Sequence, residues 1–80
     1  MKSIKIEYYA LFREQAGLSN EEIQTDAQNV DALYKELKSR HGFSMCSTQL
    51  RVAVNEEFKD WSSDLEDGDS IVFIPPVAGG

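Results

Sequence analysis

The residues best suited to chemistry in this sequence are the last four, Val77-Ala78-Gly79-Gly80. Their side chains shrink toward the end, and glycines without β-carbons can follow a channel that larger residues would block. The carboxylate of Gly80 has no side chain around it, so an activating enzyme could adenylate it. The mixed anhydride formed would be open to attack by sulfur or nitrogen. A Gly-Gly end is also typical of an ordinary frayed terminus, and the two glycines alone do not decide between these interpretations.

The segment before these residues favours the chemical interpretation. Pro75 and Pro76 end an apolar strand and hold the chain extended, because proline fixes its own backbone and cannot donate to a sheet. We therefore expect a folded domain over residues 1–75 and an extended, flexible C-terminal tail over residues 76–80.

An exposed apolar patch is predicted beside this tail. Residues 70–74 read as a strand in which Ile71 and Phe73 can face a helix, which leaves Val72 and Ile74 on the opposite face. One helix can cover only one face, and an open apolar patch usually marks an interface. The predicted apolar patch comprises Val72, Ile74, Tyr9 and Phe58.

The elements that must position the tail follow from periodicity and capping signals. Val30, Leu33, Tyr34, Leu37 and His41 recur on one helical face, with Asn29 as N-cap and Gly42 as the left-handed C-cap. This pattern predicts an α+β fold, a small mixed sheet packed on one main helix, with the first and last strands side by side at its centre because both are richest in β-formers. The other predicted elements are strands over 3–9, 21–26, 50–55, 57–60 and 70–74 and a short helix over 10–17.

Composition narrows the functional classes. The chain has 80 residues, a net charge of −6 and one cysteine, so it predicts one domain without an internal disulfide, in a reducing, cytoplasmic setting. An acidic surface repels a phosphate backbone, which argues against nucleic acid as a partner and favours a partner with a basic face. No apolar stretch approaches the length of a membrane span, so no membrane association is expected.

Other reactive residue types are interpreted as structural. His41 at a helix end and Cys46 lack the partners that a metal site or nucleophile would need, so no metal or bound cofactor is expected. The pairs Glu21-Glu22 and Glu56-Glu57 are interpreted as solvated surface. Trp61 is either a partner anchor or the edge of the core, and the sequence does not separate the two. Without a nucleophile–base pair, the chain is not expected to be a catalyst alone.

Residues 65–80, LEDGDSIVFIPPVAGG, resemble the end of the molybdopterin synthase small subunit family, which has an L-x-D-G-D turn, an apolar strand and a P-P-V-x-G-G terminus. Ala78 departs from the family's frequent Thr, a small change that should not block a channel. The resemblance spans nearly the whole chain. Its weaker parts are Tyr8-Tyr9-Ala10, Arg13-Glu14 with Gly17, Val30-Asp31-Ala32-Leu33 and Ala53-Val54-Asn55.

The resemblance implies a ubiquitin-like β-grasp fold and a sulfur-carrier role. In the family, an adenylating, E1-like enzyme consumes ATP to activate the terminal glycine, here Gly80, and a sulfur donor converts it to a thiocarboxylate. The tail then enters the large synthase subunit and gives sulfur to a cyclic pyranopterin precursor of the molybdenum cofactor. The resemblance further implies a heterotetramer of two small and two large subunits. It implies large-subunit contacts at Tyr9, Arg13, Phe58 and Ile74, to which the open strand face adds Val72. The tail before Gly80 is formed by Pro75, Pro76, Val77, Ala78 and Gly79.

Other functions stay open at this point. A sulfur carrier for another pathway, such as thiamine thiazole synthesis, shares the fold and the Gly-Gly end. A ubiquitin-like modifier that joins Gly80 to a lysine shares the activation chemistry. A plain interaction module with an idle tail is the third alternative.

Overall fold

A computed structural model of the chain describes residues 1–75 and shows five strands and two α-helices in them. This order confirms the predicted α+β fold. A single 3₁₀ helix, Ser47–Gln49, was not predicted. The elements are β1 (Lys2–Glu7), α1 (Ala10–Ala16), β2 (Asn20–Thr25), α2 (Val30–His41), β3 (Arg51–Val54), β4 (Glu57–Lys59) and β5 (Ser70–Ile74).

The strands form one mixed sheet in the order β2-β1-β5-β3-β4. β1 and β5 run parallel, with Ile6 opposite Ile71, and the other neighbouring strands are antiparallel. The prediction that the first and last strands lie side by side at the centre is confirmed. β5 is therefore paired on both sides over residues 71–72, and its end, Phe73 and Ile74, pairs with β3.

The core lies between the sheet and α2. Leu33 and Leu37 of α2 are fully buried together with Phe73 of β5, and the rings of Tyr34 and Phe73 meet edge to face with centroids 5.0 Å apart. Burying apolar side chains of this kind supplies most of the stability of a domain without disulfides. Ile4 and Ile6 of β1 and Ile71 of β5 also belong to this core, as does Tyr8, which follows β1.

Both predicted caps of α2 are present. The Asn29 side chain accepts a hydrogen bond from the Ala32 amide at 2.8 Å, which satisfies one free N–H of the first turn. Gly42 has φ of 72°, in the left-handed region that glycine enters without strain, and its N–H donates to the carbonyl of Lys38. The local sequence thus fixes where α2 begins and ends.

The first strand ends at Glu7, so the prediction that it continues to residue 9 is wrong. The Tyr8 amide donates to the Ser19 carbonyl, and Ala10 has a positive φ of 50°, which turns the chain into α1. Tyr9 is the residue that precedes α1 and not a strand residue. Its side chain nevertheless falls beyond the end of β1, on the side of the sheet that α2 leaves open.

Trp61 belongs to the edge of the core. Its ring lies nearly parallel to that of Phe73 at 6.0 Å between centroids and meets Tyr34 edge to face at 5.5 Å. The structure therefore decides the ambiguity left by the sequence in favour of packing, because both aromatic neighbours are fully buried core residues.

Candidate functional site

The chain leaves the sheet at a central position. Ile74, the last residue of β5, lies opposite Arg51 of β3, and Pro75 follows as the last described residue. Pairing of Phe73 and Ile74 with β3 fixes the direction in which β5 ends. The predicted reactive tail, Pro76, Val77, Ala78, Gly79 and Gly80, lies outside the described residues.

The sheet face opposite α2, here called the open face, carries the predicted apolar patch. Val72 and Ile74 of β5 are only half-buried, in contrast to the fully buried Ile71 and Phe73 that alternate with them. Val72 is opposite Ala53 of β3, and Ala53 is opposite Phe58 of β4, so these side chains share a face. Phe58 is 66% exposed, which is a large apolar surface for a residue on a strand.

The patch covers only part of the open face. β1 and β2 present Lys5, Glu7, Asn20 and Glu22 there, since these residues pair across the two strands and alternate with buried ones. The open face is thus polar over β2 and β1 and apolar over β5, β3 and β4. The apolar part is the one that adjoins the end of β5.

Tyr9 and Arg13 lie together at the same end of the sheet. Tyr9 is 51% exposed, and its hydroxyl donates to a Glu7 carboxylate oxygen at 2.8 Å. This hydrogen bond and the negative charge of Glu7 raise the pKa of Tyr9 above its usual value. Arg13 is exposed on α1 and lines a shallow depression with Tyr9, Ser19 and others. The structure brings Tyr9, Arg13 and Ile74 to the end of the sheet from which the tail continues.

Arg51 is a patch residue that the sequence did not single out. Its guanidinium carbon lies 5.8 Å from the centroid of the Phe58 ring, within the range of a cation–π contact. The two residues lie on neighbouring strands joined by one turn, so only the register of those strands, with Val52 opposite Lys59 and Ala53 opposite Phe58, makes the contact visible.

A buried polar network joins three elements beside this end of the sheet. The Tyr8 hydroxyl donates to the Glu21 carboxylate, and the same Glu21 oxygen lies 2.6 Å from Nε2 of His41. Burial, followed by the hydrogen bond and charge of Glu21, raises the pKa of Tyr8 strongly. The interpretation of Glu21 as solvated surface is wrong, since only 17% of its side chain is exposed. Its neighbour Glu22 is exposed, as predicted.

The remaining reactive residues form no centre in residues 1–75. No group of three His, Cys, Asp or Glu side chains there is arranged as metal ligands. Cys46 is exposed, with Nζ of Lys38 at 4.0 Å from its sulfur. Neither helix of the described part is long and apolar enough to cross a membrane.

Comparison with known proteins connects this geometry to a family. The model of the ThiS family matches residues 6–80, which includes the whole tail. The chain belongs to the ThiS family. The molybdopterin synthase sulfur carrier subunit of Escherichia coli (strain K12) is 32% identical over 80 residues, covering 96% of this chain and 99% of that protein. The subunit of the same name from Homo sapiens is 32% identical over 83 residues, covering 96% of this chain and 93% of that protein.

Solved structures agree with the fold of this ThiS family member. A Pyrococcus furiosus protein, a candidate molybdopterin converting factor subunit 1, superposes with a TM-score of 0.79 at 31% identity, covering 96% of this chain and 100% of that one. Two further structures show likeness of fold alone. Small archaeal modifier protein 1 of Haloferax volcanii has a TM-score of 0.82 at 20% identity (coverage 96% and 100%). A chain of the Helicobacter pylori complex of subunits 1 and 2 of molybdopterin-converting factor has a TM-score of 0.68 at 24% identity, covering 98% of this chain and 99% of that one.

These findings confirm the predicted ubiquitin-like β-grasp fold and the family resemblance. The division into one domain over residues 1–75 and a tail over residues 76–80 stays a prediction, as do the roles of the individual site residues, because they concern residues outside the described part or contacts with other chains.

Proposed function

We propose that this chain is the sulfur-carrier small subunit of molybdopterin synthase. The observation that carries the proposal is the match over nearly the full length to curated sulfur carrier subunits of that enzyme, at 32% identity and 96% coverage of this chain. Within that match, the Gly79-Gly80 end supplies a carboxylate with little steric cover, and the apolar patch supplies a surface to which a larger subunit can dock.

The chemistry proposed for Gly80 has four steps. A separate adenylating enzyme transfers AMP from ATP to the Gly80 carboxylate and releases pyrophosphate. Sulfide from the sulfur donor attacks the acyl-adenylate, AMP leaves, and the terminal carboxylate becomes a thiocarboxylate. The thiocarboxylate sulfur then bonds to a carbon of the cyclic pyranopterin precursor and displaces an oxygen substituent. Water hydrolyses the resulting thioester, which leaves the thiol on the precursor and restores the Gly80 carboxylate.

The folded domain contributes positioning to this chemistry. Binding through the apolar patch would fix the end of β5, and with it the direction of the tail, relative to the active site of the partner. Holding reactants in a defined geometry can supply a large part of a rate acceleration. The patch adjoins the end of β5, with Ile74 as its last strand residue and Tyr9 level with it, so docking and tail insertion are geometrically coupled.

The partners follow from the same proposal. The large synthase subunit is the principal one, and the Helicobacter pylori structure of subunits 1 and 2 of molybdopterin-converting factor provides a precedent for such a complex on this fold. We further propose a heterotetramer of two small and two large subunits, an E1-like activating enzyme that consumes ATP, a sulfur donor, no resident cofactor, and a cytoplasmic location.

The experiment that tests the carrier role is the intact mass of the chain purified from cells that also express its activating enzyme. A species heavier by the difference between sulfur and oxygen, mapped to Gly80 by fragmentation, is expected. A variant that lacks Gly80 is the control and should stay unmodified. An unmodified wild-type chain alongside an activating enzyme of demonstrated activity would refute the carrier role.

A second test separates the carrier from an interaction module with an idle tail. Appending one residue after Gly80 moves the carboxylate away from its required position and adds bulk to the tail. We expect the extended chain to bind the large subunit through the patch with unchanged affinity and to support no synthase activity. Activity that survives the extension would contradict the proposal.

The other carrier and modifier functions are distinguished by the acceptor. Chain that carries sulfur at Gly80 but fails to support conversion of the pyranopterin precursor would indicate another pathway, such as thiamine thiazole synthesis. Adducts in which Gly80 is joined to lysine side chains would indicate a modifier, whose fold this chain shares.

A further inference from the structure

One cation lies inside the apolar patch. Arg51 is directly opposite Ile74 across the β3–β5 pair and stacks over the face of Phe58, so two patch residues flank its guanidinium. No carboxylate within residues 1–75 approaches this guanidinium to within 4.0 Å. Asp60 lines the same shallow depression but forms no ion pair with it. Arg51 is exposed in the isolated chain, so water satisfies its five donors there.

Docking of a partner on the apolar patch changes the hydration of Arg51. A partner that covers Phe58 and Ile74 must also cover the guanidinium between them, and it removes the water that hydrates it. A buried charge is costly unless an opposite charge and hydrogen-bond acceptors replace the lost water. The planar guanidinium is suited to a carboxylate, which accepts two parallel hydrogen bonds from it while the Phe58 ring supports the opposite surface.

The distribution of charge on the chain makes this requirement specific to position 51. Residues 56–69 contain seven of the fourteen acidic side chains and one of the eight basic ones, so this segment accounts for the entire net charge of −6. Glu56, Glu66 and Asp69 lie where β5 begins, since the amide of Asn55 donates to the Ser70 carbonyl and that of Asp69 to the Glu66 carbonyl. Arg51 lies at the other end of β5. Within β3, β4 and β5, Arg51 is the one charged residue on the open face, because Glu57 and Lys59 lie opposite the buried Val54 and Val52 on the other side of the sheet.

We propose that Arg51 is a specificity-determining residue that selects a large subunit carrying a carboxylate side chain opposite it, within an otherwise apolar contact surface. The inference rests on the proposed function, which supplies the identity of the partner, and adds the chemistry that the partner must present. The pair also fixes orientation, because a partner rotated by half a turn would bury Arg51 without an acceptor and leave its own carboxylate unpaired.

The test compares binding of chain variants to the large synthase subunit of the same organism. Arg51→Leu keeps the patch apolar but leaves the partner's carboxylate unpaired, so affinity should fall about 30-fold or more. Arg51→Lys keeps the charge without the planar fork and should give a smaller loss. Lys59→Leu is the matched control. It removes one positive charge from the neighbouring strand, where Lys59 is already paired with Glu57 at 3.3 Å, and should change the affinity by less than about threefold.

A charge exchange completes the test. Arg51→Glu should abolish measurable binding, and reversal of one acidic residue on the large subunit to Arg should restore it. If Arg51→Leu binds as tightly as wild type while Phe58→Ala binds weakly, the patch is the interface but the proposed carboxylate pairing is wrong. Equal losses for Arg51→Leu and Lys59→Leu would also overturn it, since net charge and not position would then be responsible.

Failure of the proposed function gives a different result. In that case the wild-type chain itself neither binds the large subunit nor acquires sulfur at Gly80 in the mass measurement. Because Arg51 lies outside the tail, its variants should acquire sulfur normally when the carrier role is correct.

Discussion

Removal of the Phe58 side chain should weaken the complex with the large subunit while hardly affecting the fold. An aromatic side chain buries about 150–250 Å² when fully covered, and Phe58 is 66% exposed in the isolated chain. A partner that covers the ring therefore removes roughly 130 Å² of apolar surface from water, which corresponds to about 3 kcal/mol at 25 cal/mol per Å². Alanine retains a small part of this, so Phe58→Ala should raise the Kd about 30- to 150-fold.

Isothermal titration calorimetry of the chain with the large subunit measures this change. Glu57→Ala is the matched control, because Glu57 is the preceding residue of β4 and its side chain lies on the other side of the sheet. Urea unfolding of each free variant verifies that the fold is retained. A Phe58→Ala chain that binds within about threefold of wild type would show that the partner does not cover the exposed ring, and the assignment of the apolar patch as the interface would be wrong.

Three further predictions concern other parts of the molecule. Val72→Glu should weaken the same complex at least about 100-fold, because the new carboxylate lies beside Glu7 and is buried by the partner without a compensating cation. Glu21→Ala should lower the free energy of unfolding by about 1–3 kcal/mol in urea titrations, because the buried Tyr8 hydroxyl loses its acceptor. Burial raises the pKa of Tyr34 from 10.0 to about 12. The stability contributed by the neutral Tyr34 side chain is therefore complete below pH 10 and is lost as pH rises toward 12. Phenolate absorbance and unfolding measured across that range should show this loss.

Each of these predictions has a control in the same chain. Val72→Ala removes apolar surface without adding a charge and should weaken binding less than Val72→Glu; equal effects would contradict the argument from the buried charge. Glu22→Ala, on the exposed side of β2, should cost clearly less stability than Glu21→Ala. A Tyr34→Phe chain should lose one tyrosine from the titration near pH 12 and keep the contributions of Tyr8 and Tyr9, whose pKa values are also raised. An unchanged titration near pH 12 would contradict the assignment.

Much of the fold could be predicted because its signals are local. The limits of α2 follow from Asn29 and Gly42, which act through hydrogen bonds and backbone angles within one turn. The last strand, residues 70–74, was predicted with its observed bounds, since alternation of buried and half-buried side chains is a property of consecutive residues. The end of β1 was predicted two residues too late. The carbonyl that accepts from the Tyr8 amide at that point belongs to Ser19, eleven residues further along the chain.

The apolar patch was predictable from a strand that is apolar on both faces, and the reactivity of the Gly79-Gly80 end stays a prediction. Only the tertiary structure decided which side chains surround the patch. The contact of Arg51 with Phe58 depends on the register of β3 and β4, and the sharing of Glu21 by Tyr8 and His41 depends on how α2 lies against β1 and β2. That Trp61 packs at the edge of the core follows only from the positions of Phe73 and Tyr34 in the folded chain. Local patterns specify backbone conformation and the side of an element that is apolar, whereas the partner of a charged or aromatic side chain is set by residues distant in sequence that folding brings within a few ångströms.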